Sequence, residues 1–245
     1  MNDTPDIQAM YADRRRSVEE GASRASEDDA GKETVVSPSQ KYRIDLVHLI
    51  GKDGAVFVRG HVINTQNHKE ITSICRPADD LPVLWVEGHA TGEDYLISGE
   101  DIHGVTVVRL GDGQRWDRFD ADTVVDSSWI WLRASVSPDG RSLAVEGARS
   151  GRQRGLRFFD FAEPEAAEWI EYPGLESSCD AVLEWTADGT CVAVDPTGAE
   201  STWSRPSYTE CLEEWQRFAQ HLEAQNRGLP QDLRMNIRLL TERLA

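Results

Sequence analysis

The stretch Ala134-Ser135-Val136-Ser137-Pro138-Asp139-Gly140-Arg141-Ser142-Leu143-Ala144-Val145 reads as strand, tight turn, strand. Asp-Gly between two apolar runs is a strong hairpin signal, because a short reversal needs a positive φ that glycine adopts without steric cost. A second copy follows at Trp185-Thr186-Ala187-Asp188-Gly189-Thr190-Cys191-Val192-Ala193-Val194. Two such hairpins of similar length make an internal repeat the first thing to test.

One register aligns Lys52-Asp53-Gly54, Thr91-Gly92-Glu93, Pro138-Asp139-Gly140 and Ala187-Asp188-Gly189, each followed by a strand-like run. The glycines at 54, 92, 140 and 189 stand in steps of 38, 48 and 49. A second register opens strands at Gly60, Gly104 and Gly155, in steps of 44 and 51, and each is followed by a polar turn and a further strand. About four short strands per 40 to 50 residues is the size of one propeller blade.

The Ser-Pro-Asp-Gly turn with its flanking strands resembles the repeats of TolB-like and WD40-like β-propellers over roughly 165 residues. That resemblance implies an architecture and no catalytic residue, since its motif positions build turns. The fold expected is mainly β, with about four propeller-like antiparallel blades over residues 41–206. The last unit is truncated near Trp203, so the blades form a four-bladed ring, an open ring capped by other elements, or half of a ring completed by a second copy.

Residues 1–40 read as a short helix and a flexible linker. Thr4 is the N-cap, Pro5 the first helical residue and Gly21 the stop, and the polar run from Ala22 to Ser39 has little to bury. Residues 207–245 read as a helical hairpin covering a blade edge. Ser207-Tyr208-Thr209-Glu210 fits a capping box, Cys211, Leu212, Trp215, Phe218, Ala219 and Leu222 recur at helical spacing, and Pro230 opens a second helix.

The chain has 26 basic and 43 acidic residues, a formal charge of −17. Residues 1–40 hold 5 basic and 9 acidic groups and residues 207–245 hold 5 and 6, leaving 16 and 28, or −12, on 41–206. An acidic body repels a phosphate backbone, which disfavours direct nucleic-acid binding. An amino terminus without a basic segment and apolar run, no long uncharged stretch, and Cys75, Cys179, Cys191 and Cys211 without a Cys-x-x-Cys pair together give the expectation of a cytoplasmic chain that meets no membrane.

The candidate binding residues are acids and an aromatic pair: Glu100, Asp101, Asp117, Asp120, Asp122 and Asp126, with Trp129 and Trp131 pointing to one face by strand alternation. His48, His61, His68, His89 and His103 lack helical ligand spacing, and no phosphate loop, dinucleotide fingerprint or nucleophile elbow is present, so neither metal nor cofactor is expected. The functional expectation is a non-catalytic acidic module that grips a basic protein, of the class that includes inhibitors and immunity proteins against basic cytoplasmic toxins or enzymes. The alternatives are a small propeller hydrolase or lyase using carboxylates, histidines or a divalent ion, and a scaffold that completes its ring as a homodimer.

Overall fold

The computed structural model describes residues 7–99, 104–119, 129–149, 154–174, 182–195 and 197–245. Helix α1 (Ile7–Arg24) is followed by four antiparallel sheets, each an up-and-down meander. Sheet A holds β1 (Ser26–Val36), β2 (Tyr42–Ile50), β3 (Val56–Asn64) and β4 (Lys69–Arg76). Sheet B holds β5 (Val83–Val86), β6 (Tyr95–Ser98), β7 (Gly104–Arg109) and β8 (Arg115–Phe119). Sheet C holds β9 (Trp129–Val136), β10 (Ser142–Arg149), β11 (Arg154–Asp160) and the two-residue β12 (Glu171–Tyr172). Sheet D has three strands, β13 (Val182–Trp185), β14 (Cys191–Val194) and β15 (Glu200–Trp203), before α2 (Tyr208–Ala224) and α3 (Gln231–Leu244). Among the described residues no helix is long and apolar enough to cross a membrane.

The sheets stack face to face in chain order, and strand alternation explains how. Successive side chains point to opposite faces, so Leu96 and Val108 join Ile44, Val58 and Ile74 between sheets A and B. Their neighbours Tyr95, Ile97 and Val107 join Leu143, Val145 and Phe159 between B and C. Ala144 and Phe158 then meet Cys191, Ala193 and Trp203 between C and D, where Phe158 and Trp203 stack at 4.0 Å. Sheets buried on both faces carry continuous apolar runs such as Tyr95-Leu96-Ile97.

The repeat is more regular than the sequence register indicates. The Lys52-Asp53-Gly54 turn joins β2 to β3, whereas its three supposed counterparts join the first strand of a sheet to the second. The true equivalent in sheet A is Ser37-Pro38-Ser39-Gln40. In each of the four first-to-second turns the fourth residue donates its N–H to the carbonyl of the first: Gln40 to Ser37, Gly92 to His89, Gly140 to Ser137 and Gly189 to Thr186, at 2.8–3.0 Å. All four fourth residues have positive φ, 63°, 85°, 71° and 83°, and their positions 40, 92, 140 and 189 stand in steps of 52, 48 and 49.

Two expectations for the amino-terminal region are corrected. The polar run taken as a linker is largely β1, paired with β2 from Ser26 to Val36 with a register shift between Glu27 and Lys32. Backbone pairing with β2 supplies what composition alone did not. Gly21 does not stop α1, which runs to Arg24. Its lack of a side chain instead admits the Phe57 ring, 2.9 Å from where a Cβ would stand.

The carboxyl-terminal pair covers an edge, as its pattern predicts. Ser207 and Glu210 form the capping box. Cys211 and Leu240 enter the core between C and D. Side chains from both helices satisfy the outer backbone of β12: Asn236 Oδ1 accepts from Glu171 N at 2.7 Å and Trp215 Nε1 donates to Glu171 O at 2.9 Å. An otherwise open strand edge is thereby closed.

Candidate functional site

A cavity of about 240 Å³ opens between the first strands of sheets B and C. Val83 and Leu84 of β5, Ile97 and Ser98 of β6, and Trp131 and Arg133 of β9 supply its walls. A β-bulge aims Trp131 here. Ala134 and Val136 face sheet B opposite Val145 and Leu143, so plain alternation would bring Leu132 to that face. The register instead jumps from Arg133↔Glu146 to Trp131↔Gly147, leaving Leu132 unpaired and turning the Trp131 ring inward.

Trp131 is therefore not the free-standing anchor expected. Its ring stacks on Phe159 at 5.9 Å and 15° and packs into the B–C core, with one part left to line the cavity. Trp129 begins β9 opposite Arg149. Asp117 is engaged within the fold. It accepts a hydrogen bond from Thr106 Oγ1 at 2.9 Å across β7–β8 and forms an ion pair with Arg15, tying α1 to sheet B. Glu100, Asp101, Asp120, Asp122 and Asp126 lie outside the described residues. Of their described chain neighbours, Gly104 pairs with Phe119, at the end of sheet B where β6 ends at Ser98.

Several residues at this site have no sequence signature. Arg76, only 4% exposed, donates from Nη1 to Gly99 O at 2.5 Å and lies 3.5 Å from Asp80. Glu146, 3% exposed, pairs with Arg133 Nε at 3.1 Å. The Ser98 hydroxyl is buried and, among the described residues, has no hydrogen-bond partner. Arg76 and Ser98 end their strands and Glu146 lies beside the β9 bulge, places where burial depends on neighbouring strands and sheets and not on local pattern.

At the opposite ends of the strands the turns carry polar locks. Glu87 accepts from Ser37 Oγ and Ser39 N, each at 2.8 Å, and Asp94 accepts from Tyr42 Oη at 3.1 Å and Gly88 N at 2.8 Å, joining A to B. Burial opposes ionisation of Asp94, but the Gly88, Tyr42 and Lys41 donors outweigh it and hold the carboxyl below its ordinary value. Between B and C, His89 stands where the other turns have Ser or Thr. Its Nε2 lies 2.9 Å from Gly140 O and 3.1 Å from Phe161 O, and its Nδ1 accepts from Thr91 N at 3.2 Å. Nε2 therefore carries the proton and donates to those carbonyls. Between C and D, Arg205 reaches Asp139 Oδ2 at 2.8 Å and Ser142 Oγ at 3.2 Å. Burial raises the Asp139 pKa, but Arg205, Ser137 and the Arg141 N–H bring it to about 2.

The remaining titratable candidates are structural. Burial pushes the Cys191 thiol up to about 11 and the Cys211 thiol up to about 12, which leaves them protonated and poor nucleophiles at neutral pH. His61 pairs with Glu70 at 3.2 Å on the far face of sheet A. Among the described residues no group of three or more His, Cys, Asp or Glu side chains is placed to hold a metal ion. A second cavity, about 140 Å³, lies between sheet C and α3, where Glu163 and Glu168 are held by Arg243 and Arg238. Compared with known proteins, no family model matches the chain and no curated protein matches its sequence.

Proposed function

We propose that this chain is a non-catalytic, acidic protein-binding module of the cytoplasm, whose four sheets are the blades of a small, open propeller-like arc of the TolB-like and WD40-like kind. The observation that carries the binding reading is the charge: −17 overall, with −12 on residues 41–206. A dense negative charge on a folded body steers basic partners and raises their encounter rate. The blade reading draws support from four equivalent turns at near-constant spacing and from sheets that stack strictly in chain order. The partner in this reading is a basic protein, and neutralising a basic toxin or enzyme, as an inhibitor or immunity protein does, is the role such a surface serves best. The B–C cavity beside Trp131 then receives an apolar side chain of that partner.

The test is capture from host lysate at low salt, followed by calorimetry on the purified partner. Affinity for a basic protein should fall about tenfold or more between roughly 50 and 500 mM salt, because exposed charges are screened within a few ångströms at the upper end. Capture of no basic protein, or an affinity indifferent to salt, defeats the reading.

A further inference from the structure

The stack of sheets is finished at one end and unfinished at the other. On the outer face of sheet A, Val18 and Ala22 of α1 cover Leu49, Phe57 and Cys75, while the polar remainder pairs internally as Thr34–Asp45–Arg43 and His61–Glu70. Among the described residues sheet D has no such finish: it holds three strands where the others hold four, and β15 pairs only with β14. Its far face carries Glu184, Val192, Val194, Glu200 and Thr202, the register mates opposite in parity to the buried Cys191, Ala193 and Trp203. Glu200, Ser201 and Thr202 are exposed.

The direction of the β15 backbone groups follows from the ladder. Asp195 N donates to Ala199 O at 3.0 Å, so that pair is a hydrogen-bonded one. Bonded and non-bonded pairs alternate in an antiparallel ladder, which makes Ala193↔Ser201 and Cys191↔Trp203 bonded and leaves Val194↔Glu200 and Val192↔Thr202 non-bonded. The Thr186 N to Thr190 O bond fixes the same phase from the other side, since it turns Cys191 toward β15. Glu200 and Thr202 therefore direct their N–H and C=O groups away from β14, toward the free edge. Open edges of this kind recruit an extended segment.

We propose that this edge is a docking site for an extended, basic segment of the partner, which adds as the fourth strand of sheet D with Lys or Arg on the face of Glu184 and Glu200. Charge decides the occupant. A second copy would bring its own Glu200 against this one across a pair of −17 chains, whereas alternating cations meet the Glu200 carboxylate and the backbone together, with Glu184 adding to the negative charge of the same face. The proposal rests on the acidic-binding reading and specifies where and in what conformation the partner binds.

The experiment uses the full chain and a fluorescein-labelled peptide of alternating lysine with valine or threonine, read by anisotropy at low salt. Thr202→Pro removes an outward N–H without breaking the β14 ladder, since proline is tolerated where an edge N–H faces solvent. It should lower affinity about tenfold, and Glu200→Lys should do the same. The counterpart peptide with glutamate for lysine should not bind. Amide shifts of the labelled wild-type chain should concentrate at Glu200 and Thr202, a readout that does not depend on how Thr202→Pro folds. Equal binding by wild type and Thr202→Pro, or shifts centred outside β15, overturns the proposal. A concentration-dependent dimer abolished by Thr202→Pro, with no peptide binding, overturns it in favour of a second copy. If a basic partner binds both variants alike, only the edge assignment falls; if no basic peptide or protein binds at low salt, the acidic-binding reading falls with it.

Discussion

Gln40 occupies the turn position that glycine fills at 92, 140 and 189, and it does so with φ 63°. If the four turns are equivalent, Gln40→Gly should stabilise the protein. A non-glycine residue in the left-handed region costs roughly 1–2 kcal/mol, and glycine returns roughly 0.5–1 kcal/mol of that through the greater freedom of its unfolded chain. The Gln40 contacts that hold the turn are main-chain ones and survive the change: its N–H to Ser37 O at 2.9 Å and its carbonyl accepting from Thr65 Oγ1 at 2.6 Å. The side chain is exposed, so little packing is lost. The net gain expected is about 0.5–1 kcal/mol, or about 1–4 °C in melting temperature for a chain of this size. Urea unfolding followed by tryptophan fluorescence gives the free energy, and Gln66→Gly supplies the control. Gln66 is equally exposed and has no positive φ, so the same chemical change there should cost up to about 1 kcal/mol. A Gln40→Gly protein destabilised as much as the control would refute the turn equivalence and the regular spacing built on it.

Three further outcomes follow from the packing. Asn236→Leu should cost about 2 kcal/mol in chemical denaturation, because Glu171 N loses its acceptor at a buried edge; Asn236→Asp, which keeps an acceptor, should lose less. Gly140→Ala should cost more than Gly189→Ala. Both have positive φ, worth about 1 kcal/mol, but a Cβ at 140 stands 3.0 Å from the His89 ring whereas one at 189 meets nothing within 4 Å. Asp139 has a folded pKa of about 2 against an ordinary 3.8, so the stability it contributes is present above pH 4 and is lost as the pH falls through about 2. The difference corresponds to about 2.4 kcal/mol at most; with the side chain 42% exposed, solvent screening reduces that to about 1. Acid titration of Asp139→Asn beside the wild type should show that loss missing from the variant.

What the sequence made legible was what local chemistry encodes. The hairpins at Gly140 and Gly189 announce themselves because glycine is the cheapest route to positive φ, and α2 does so because Ser207 and Glu210 cap each other within one turn. The first turn stayed hidden for the converse reason, since Gln40 adopts the same geometry without the residue that signals it. Strand β1 was concealed by composition: a run with few apolar side chains is held by pairing with β2, which no local pattern reports. At the candidate site, the prominence of Trp131 was legible but its direction was not, because the bulge at Leu132 carries no glycine of its own to mark it and shifts the phase of Trp131 relative to Ala134 and Val136. Arg76 and Ser98 were invisible in the sequence because their burial is set by contacts across sheets.

The acids of this chain divide by what they touch, and the division constrains where binding energy comes from. Glu87, Asp94 and Asp139 are bound to donors on the adjacent sheet, and Asp117 to α1. These carboxylates lock one element to the next, and a cation from a partner would have to compete with hydrogen bonds already made. Substituting them should lower stability first and affinity only as a consequence. Glu184 and Glu200 differ: both are exposed on a sheet face with no neighbouring sheet among the described residues, and Glu200 also stands beside backbone groups that β14 does not use. The repeat that engages Glu87, Asp94 and Asp139 in the turn layers thus leaves Glu184 and Glu200 exposed on the last sheet, which among the described residues stops short of a fourth strand. Charge and open backbone coincide there, so charge reversal at Glu200 should weaken a basic partner without loosening the fold, while Asp139→Asn should loosen the fold without acting on the partner directly.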